Sequence, residues 1–306
     1  WRAHVLEVVT RVQPDLIHSH HLWMLSGMLR DVVPRTRIVT HCHGTGLRQL
    51  AQCPQFAGKV ISGCRRNDHF LALHPLQADE IATTLNVPTD AVSVIGAGYR
   101  EEVFHDRGRS HVAAPTLVYA GKLSHSKGVP QLLEAVESLT VDIPDLQLHI
   151  AGGGTGEEAS AIVKRIEELS SNVTWHGQLP PAELAQLLRN ASLFVLPSFY
   201  EGLPLVVVEA IACGCLVVTT DLPGTRHIAL QLEGVVELVP TPVMASVDQP
   251  HPESLAEFTG ELAAAIRRAL QRSESFEATT LAAPFSWTEV FRRIELVWNR
   301  YLLEES

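Results

Sequence analysis

Apolar and polar positions along the chain switch repeatedly between the short period of a strand and the longer period of a helix. In the first part, short apolar runs at 15–18, 37–40, 70–73 and 92–95 predict strands. A helical stretch at 22–33 separates the first two, and 77–85 fits a helix between the last two. The residues before Asp15 read as a helix entered in mid-pattern. After a break at Gly96-Ala97-Gly98 the pattern resumes with a strand at 116–120 and an amphipathic helix at 129–139. A strand at 146–150 runs into Gly152-Gly153-Gly154, and a helix at 157–169 places Ile162, Ile166 and Leu169 on one side. A strand at 173–175 precedes Gly177, a helix covers 181–188, and a strand covers 193–196. Residues 241–252 read as a polar loop and 253–272 as a helix. A last helix is predicted from Ser286, a good N-cap, to Leu303.

Alternating strands and helices imply parallel sheets with right-handed crossovers, so the predicted class is α/β, with two doubly wound Rossmann-like domains and a cleft between them. The best linker is the polar run 106–110. The expected division is an N-terminal domain over 1–110, a second domain over 111–284 and a terminal helical segment over 285–306. Ligands of such sheets bind beyond the carboxyl ends of the strands, which is where candidate chemistry should be sought.

The composition, 46% apolar and 19% charged over 306 residues, is that of an ordinary soluble globular chain. No apolar run reaches the ~18 residues of a membrane span, and the first residues are not a signal peptide. Five cysteines, an odd number, argue against a disulfide framework and for a reducing cytoplasm. Residues 1–108 hold 11 Lys/Arg against 10 Asp/Glu, whereas the remaining 198 hold 13 against 24. That asymmetry allows the first domain to approach an anionic membrane surface or acceptor, and nucleic acid is not an expected partner.

Glu201 and Glu209 stand eight apart in a segment that reads as strand, turn, helix and strand. Pro204 suits the first helical position and Gly214 the C-terminal stop, so Glu201 lies in the loop and Glu209 inside the helix. Free backbone N–H groups at such a helix start can hold an anion. Two carboxylates beside an anion site suit a ligand with both hydroxyls and phosphate. Lys122 and Lys127 flank another loop between a strand and a helix, where point charges can neutralise a diphosphate. The run Gly152-Gly153-Gly154 allows close backbone approach. In the first domain His43 meets a Gly44-Thr45-Gly46 turn and is expected to look into the cleft, whereas His41 is expected on the other face. The cluster His18, His20, His21 invites a metal, but no carboxylate pair accompanies it, and no metal site is expected.

These pieces resemble the retaining glycosyltransferases of family 4, which have the GT-B fold. The resemblance is carried by the run from Tyr119 to Gly128, by the Glu-x7-Glu pair at Glu201 and Glu209, by Gly214 with the strand to Thr220, and by the Pro223-Gly224 turn. The segment 94–104 resembles the family's interdomain segment, and Phe285-Ser286-Trp287 with its helix resembles the terminal helix that crosses back to the first domain. The family's first strand and glycine-rich loop would precede Trp1, so the chain is expected to be a fragment. Lys122 stands where the family usually has arginine, which keeps the charge but loses bidentate binding.

The resemblance implies a retaining transfer from a UDP- or GDP-sugar to an acceptor hydroxyl on a glycan, a lipid-linked intermediate or a small molecule. Glu201 would bond the donor sugar, Glu209 the ribose, and Lys122 and Lys127 the diphosphate. Gly121, Gly152, Gly154, Gly177, Gly202, Leu203 and Pro204 would line the donor, and His43 would stand near the reacting sugar. No cofactor and no metal are implied. A non-catalytic nucleotide-sugar-binding subunit is the alternative, with a sugar-nucleotide epimerase behind it.

Overall fold

The structure is a computed structural model, and it describes residues 1–109, 114–169, 171–272 and 276–303. By their contacts the residues form two compact units. The first comprises 1–97 with the chain from Thr288 onward, and the second comprises 98–287. Ser110, the last residue of the expected linker, lies outside the described residues, whereas Arg109 packs within the second unit, donating to the carbonyls of Cys213 and Ala191 at 3.0 and 2.9 Å.

The first unit is built on a four-stranded parallel sheet of β1 (Leu16–His20), β2 (Arg37–His41), β3 (His69–Ala72) and β4 (Val92–Val94), in that order. Helices Met24–Val32, Thr45–Gln52, Pro54–Cys64 and Pro75–Leu85 connect the strands. One face of β2 and β3 is covered by the terminal helix Trp287–Leu303, which sets Val290, Ile294 and Val297 against Val39, Leu71 and Ile95. Those three positions recur at helical spacing, so one stripe is buried while Phe291 and Leu296 stay exposed. The opposite core gathers Leu22, Phe70, Ile81 and Leu85 with the free thiols of Cys42 and Cys64.

The second unit carries a six-stranded parallel sheet. Its strands are β5 (Thr116–Ala120), β6 (Gln147–Ala151), β7 (Val173–Trp175), β8 (Leu193–Leu196), β9 (Leu216–Thr220) and β10 (Val236–Val239). Their order is β10-β9-β8-β5-β6-β7. Strands β5, β8 and β9 are buried throughout, as strands covered on both faces must be, and they read as continuous apolar runs. The chain leaves β5 towards β6 and β7, then returns to lay β8 on the other side of β5. The order therefore reverses between β5 and β8.

Three local readings change. Pro204 is the N-cap of helix Leu205–Ala212 rather than its first residue, with extended backbone that a helical position would not have. Part of the loop 241–252 forms a small antiparallel hairpin, β11 (Met244–Ser246) with β12 (Gln249–Pro250). Helices Thr45–Gln52, Pro54–Cys64 and Pro223–Gln231 were not predicted, because glycines and prolines inside or beside them masked the helical period. No helix among the described residues is long and apolar enough to cross a membrane.

Candidate active site

The reversal of strand order between β5 and β8 leaves a crevice at their carboxyl ends, where the flanking loops diverge. From β5 comes the loop Gly121–Gly128 and from β8 the loop Pro197–Pro204. The two are sewn together: Phe199 N donates to Ser126 O at 2.9 Å, and a Cβ on Gly128 would meet Pro197 O at 2.1 Å. Across this seam Lys127 Nζ lies 2.6 Å from Glu201 Oε1, with the two side chains 26% and 15% exposed. The pair is shielded enough for its charges to interact more strongly than a surface pair. The Tyr119 hydroxyl donates to Lys122 O at 2.7 Å, and burial pushes that phenol well above its usual range, with the Glu201 charge adding to the shift.

Lys122 and Glu209 line one hollow of about 570 Å³, with Gly121, Gly152, Gln178 and Val206 among its other walls, whereas Lys127 and Glu201 are not among the residues that line it. Glu209 lies in the second turn of helix Leu205–Ala212, whose other residues are all apolar, with its neighbours Val207, Val208, Ala210 and Ile211 buried. Burial pushes the Glu209 carboxyl up to about 7, against the pull of Arg100. Near neutral pH this group therefore exists in both protonation states.

The glycines divide by role. Gly152, at φ 129°, would set a Cβ 1.9 Å from Gly121 O, so it permits two loops to touch. Gly154 closes on Leu123 O and Ala159, and it lines a neighbouring hollow of about 420 Å³ rather than the one with Lys122. Gly177, at φ 67°, faces open space, so only its backbone angle calls for glycine. Gly202, Leu203 and Pro204 are not among the walls of the hollow with Lys122; Gly202 O instead receives the close approach of Gly224. Sequence reasoning missed Gln178, Leu179, Leu184 and Val206 as lining residues. Gln178 and Leu179 follow the end of β7, so the strand-end rule that singled out Lys122 could have found them.

His43 belongs to the first unit, just beyond β2. Its Nε2 is 2.9 Å from His20 Nδ1, and its ring stacks on His41 with centroids 4.1 Å apart. This corrects the expectation that His41 faces away. Side chains alternate along a strand, so residues two apart share a face and Cys42 takes the other. Burial above all, with the neighbouring imidazoles, holds His43 down at about 4, so its ring is neutral at physiological pH.

Two family models match the chain. One, described as glycosyl transferases group 1, covers residues 101–248, and the other, described as glycosyltransferase family 4, covers 1–143. The chain is 27% identical to D-inositol 3-phosphate glycosyltransferase 1 of Catenulispora acidiphila over 323 residues, covering 93% of this chain and 72% of that one. It is 30% identical to the D-inositol 3-phosphate glycosyltransferase of an Arthrobacter species over 248 residues, covering 72% of this chain but only 58% of the relative. The fold is shared with Anabaena HepE solved with UDP and glucose, at TM-score 0.73 and 17% identity over 98% of this chain and 81% of that one. It is shared also with sucrose-phosphate synthase from Thermosynechococcus elongatus, at TM-score 0.70 and 20% identity over 100% and 78%. With matched segments that run from Trp1 to Asp248 and two Rossmann-like sheets of GT-B type, the chain belongs to glycosyltransferase family 4.

Proposed function

We propose that this protein moves a sugar from a nucleoside-diphosphate donor to an acceptor hydroxyl with retention of configuration. The observation that carries the reading is the meeting of Lys122 and Glu209 in one hollow at the strand-order reversal, with the Lys127–Glu201 pair on the loops that leave β5 and β8. Glu209, ionised, accepts the two ribose hydroxyls. Lys122 and Lys127 neutralise the diphosphate, and Glu201 accepts hydrogen bonds from the donor sugar while keeping Lys127 in place. No metal ion is assigned to the transfer, because the two ammonium groups supply the positive charge.

In the step itself the bond from the sugar's anomeric carbon to the diphosphate breaks. The acceptor oxygen bonds to that carbon on the same face, and its proton passes to the departing phosphate oxygen. No enzymic nucleophile is required. His43 is assigned to a hydroxyl of the sugar or acceptor, as a neutral imidazole whose Nδ1 is left to meet it while Nε2 is bonded to His20.

The name of the HepE complex supports UDP and a hexose as first probes, and the names of the two inositol-phosphate relatives support a small phosphorylated polyol among the acceptors to try. Glycan and lipid-linked acceptors belong in the same panel. The free cysteines fit a reducing compartment such as the cytoplasm. The test is a transfer and hydrolysis assay with UDP- and GDP-sugars. Glu201→Ala is expected to abolish turnover in a folded protein, and full activity of that variant would overturn its role. Tight donor binding with no turnover in the wild type would favour the non-catalytic subunit.

A further inference from the structure

The first unit holds a histidine array that the transfer reading does not use. His18 and His20, two apart on β1, share a face, and the parallel register pairs His20 with His41 of β2. The three rings form a triangle, with centroids 4.8 Å apart for His18 and His20, 5.6 Å for His18 and His41, and 5.5 Å for His20 and His41. One ring nitrogen from each lies within 4.8 Å of the other two.

Their hydrogen bonding is incomplete in a telling way. His18 Nε2 and both ring nitrogens of His41 are buried with no hydrogen-bond partner among the described residues, and His41 is only 4% exposed. A buried polar atom of that kind calls for an occupant. His20 differs, because it is exposed and its Nδ1 is bonded to His43 Nε2 at 2.9 Å. A histidine that ligates a metal characteristically bonds its second nitrogen to a neighbouring group, which fixes the tautomer.

We propose that His18, His20 and His41 form a three-histidine site for a borderline divalent transition-metal ion of the Zn2+ class. A neutral imidazole offers one ring nitrogen's lone pair to a metal ion. Three protein nitrogens with an open fourth position suit Zn2+ or Co2+, and no carboxylate is needed for that donor set. The exposed edge of His20 gives the ion its entry. With Nε2 of His20 on the metal, its Nδ1–H donates to His43 Nε2, so the proton of a neutral His43 is confined to Nδ1. The site shares no residue with the hollow of Lys122 and Glu209 and meets the transfer reading only through His43, so metal binding and nucleotide binding are tested separately.

The experiment is calorimetric titration of the purified, chelator-treated protein with Zn2+, paired with the visible absorption of Co2+ added in its place. One ion per chain is expected, with Co2+ bands typical of low coordination number. His20→Ala, an exposed change, should weaken binding about tenfold or more. His18→Gln serves if His20→Ala unfolds, as judged by circular dichroism. His149→Ala is the control, because His149 and His176 form a separate pair in the second unit and should contribute nothing. Absence of stoichiometric binding in the wild type overturns the proposal. So does undiminished binding in the folded His20 or His18 variant, or binding lost with His149→Ala.

Discussion

Lys127 Nζ sits 2.6 Å from Glu201 Oε1, and this contact adds a charged tie between the loop after β5 and the loop after β8. Because the pair is largely shielded, removal of one partner strands the other charge. Lys127→Met is expected to destabilise the fold by about 1–3 kcal/mol, whereas the double change Lys127→Met with Glu201→Gln should cost less than the sum of the two. Denaturant titration of the four proteins checks this, and strictly additive losses would show that the contact contributes nothing.

Glu209 makes nucleotide binding depend on pH. Its folded carboxyl titrates at about 7, raised by burial, but the proposed ribose contact needs the ionised form. Binding should therefore release a proton below pH 7. UDP or GDP affinity is expected to rise up to about tenfold per pH unit towards 7 and to level off above it. Glu209→Gln should bind weakly at every pH. Stability runs the other way: the contribution of a raised carboxyl is fully present below its unfolded value of 4.5 and is lost as pH rises through 7. That loss is on the order of 3 kcal/mol, so the glutamine variant should gain stability relative to wild type across this window.

The glycine roles separate by substitution. Gly177→Ala meets open space and should cost about 1–2 kcal/mol through its left-handed backbone alone, with nucleotide affinity little changed. Gly152→Ala drives a Cβ into Gly121 O and must move the wall of the hollow. It should lose both stability and nucleotide binding. Thermal unfolding and calorimetry on the two variants test the distinction.

In the first unit the Tyr301 hydroxyl lies 3.0 Å from His69 Nδ1, while His69 Nε2 lies 2.8 Å from Ser93 Oγ. The terminal helix is thus tied to β3 by a neutral histidine, whose pKa is held down at about 4, chiefly by burial and then by Arg300. A depressed histidine contributes stability above its unfolded value of 6.5 and loses it as pH falls through the folded value. Tyr301→Phe is expected to cost about 1 kcal/mol at neutral pH. His69→Gln should flatten part of the acid limb between pH 6.5 and 4, as read by denaturant titration at each pH.

The sheets were legible because fully covered parallel strands are continuous apolar runs, as in Leu193–Leu196 and Thr116–Ala120. The strand ends then pointed to Lys122, Lys127, Glu201 and Glu209. What stayed hidden depends on three-dimensional register. The partnership of Lys127 with Glu201 spans 74 residues, and only the return of β8 beside β5 creates it. His41 was set on the wrong face although the period-two rule places it with His43, and its partners His18 and His20 come from another strand. The wall at Gln178 and Leu179 has no charge to draw attention to it. The short helix Thr45–Gln52 begins at Gly44 with φ 81°, a start that propensity alone does not suggest.

The most direct measurement is isothermal titration of UDP and GDP into the wild type and into Lys122→Ala, with Glu209→Gln beside it. One nucleoside diphosphate should bind per chain, and each substitution should weaken it at least tenfold, or ~1.4 kcal/mol, without unfolding the protein. If neither nucleotide binds the wild type, or if both variants bind as tightly as it does, the hollow beside Lys122 and Glu209 is not the donor site.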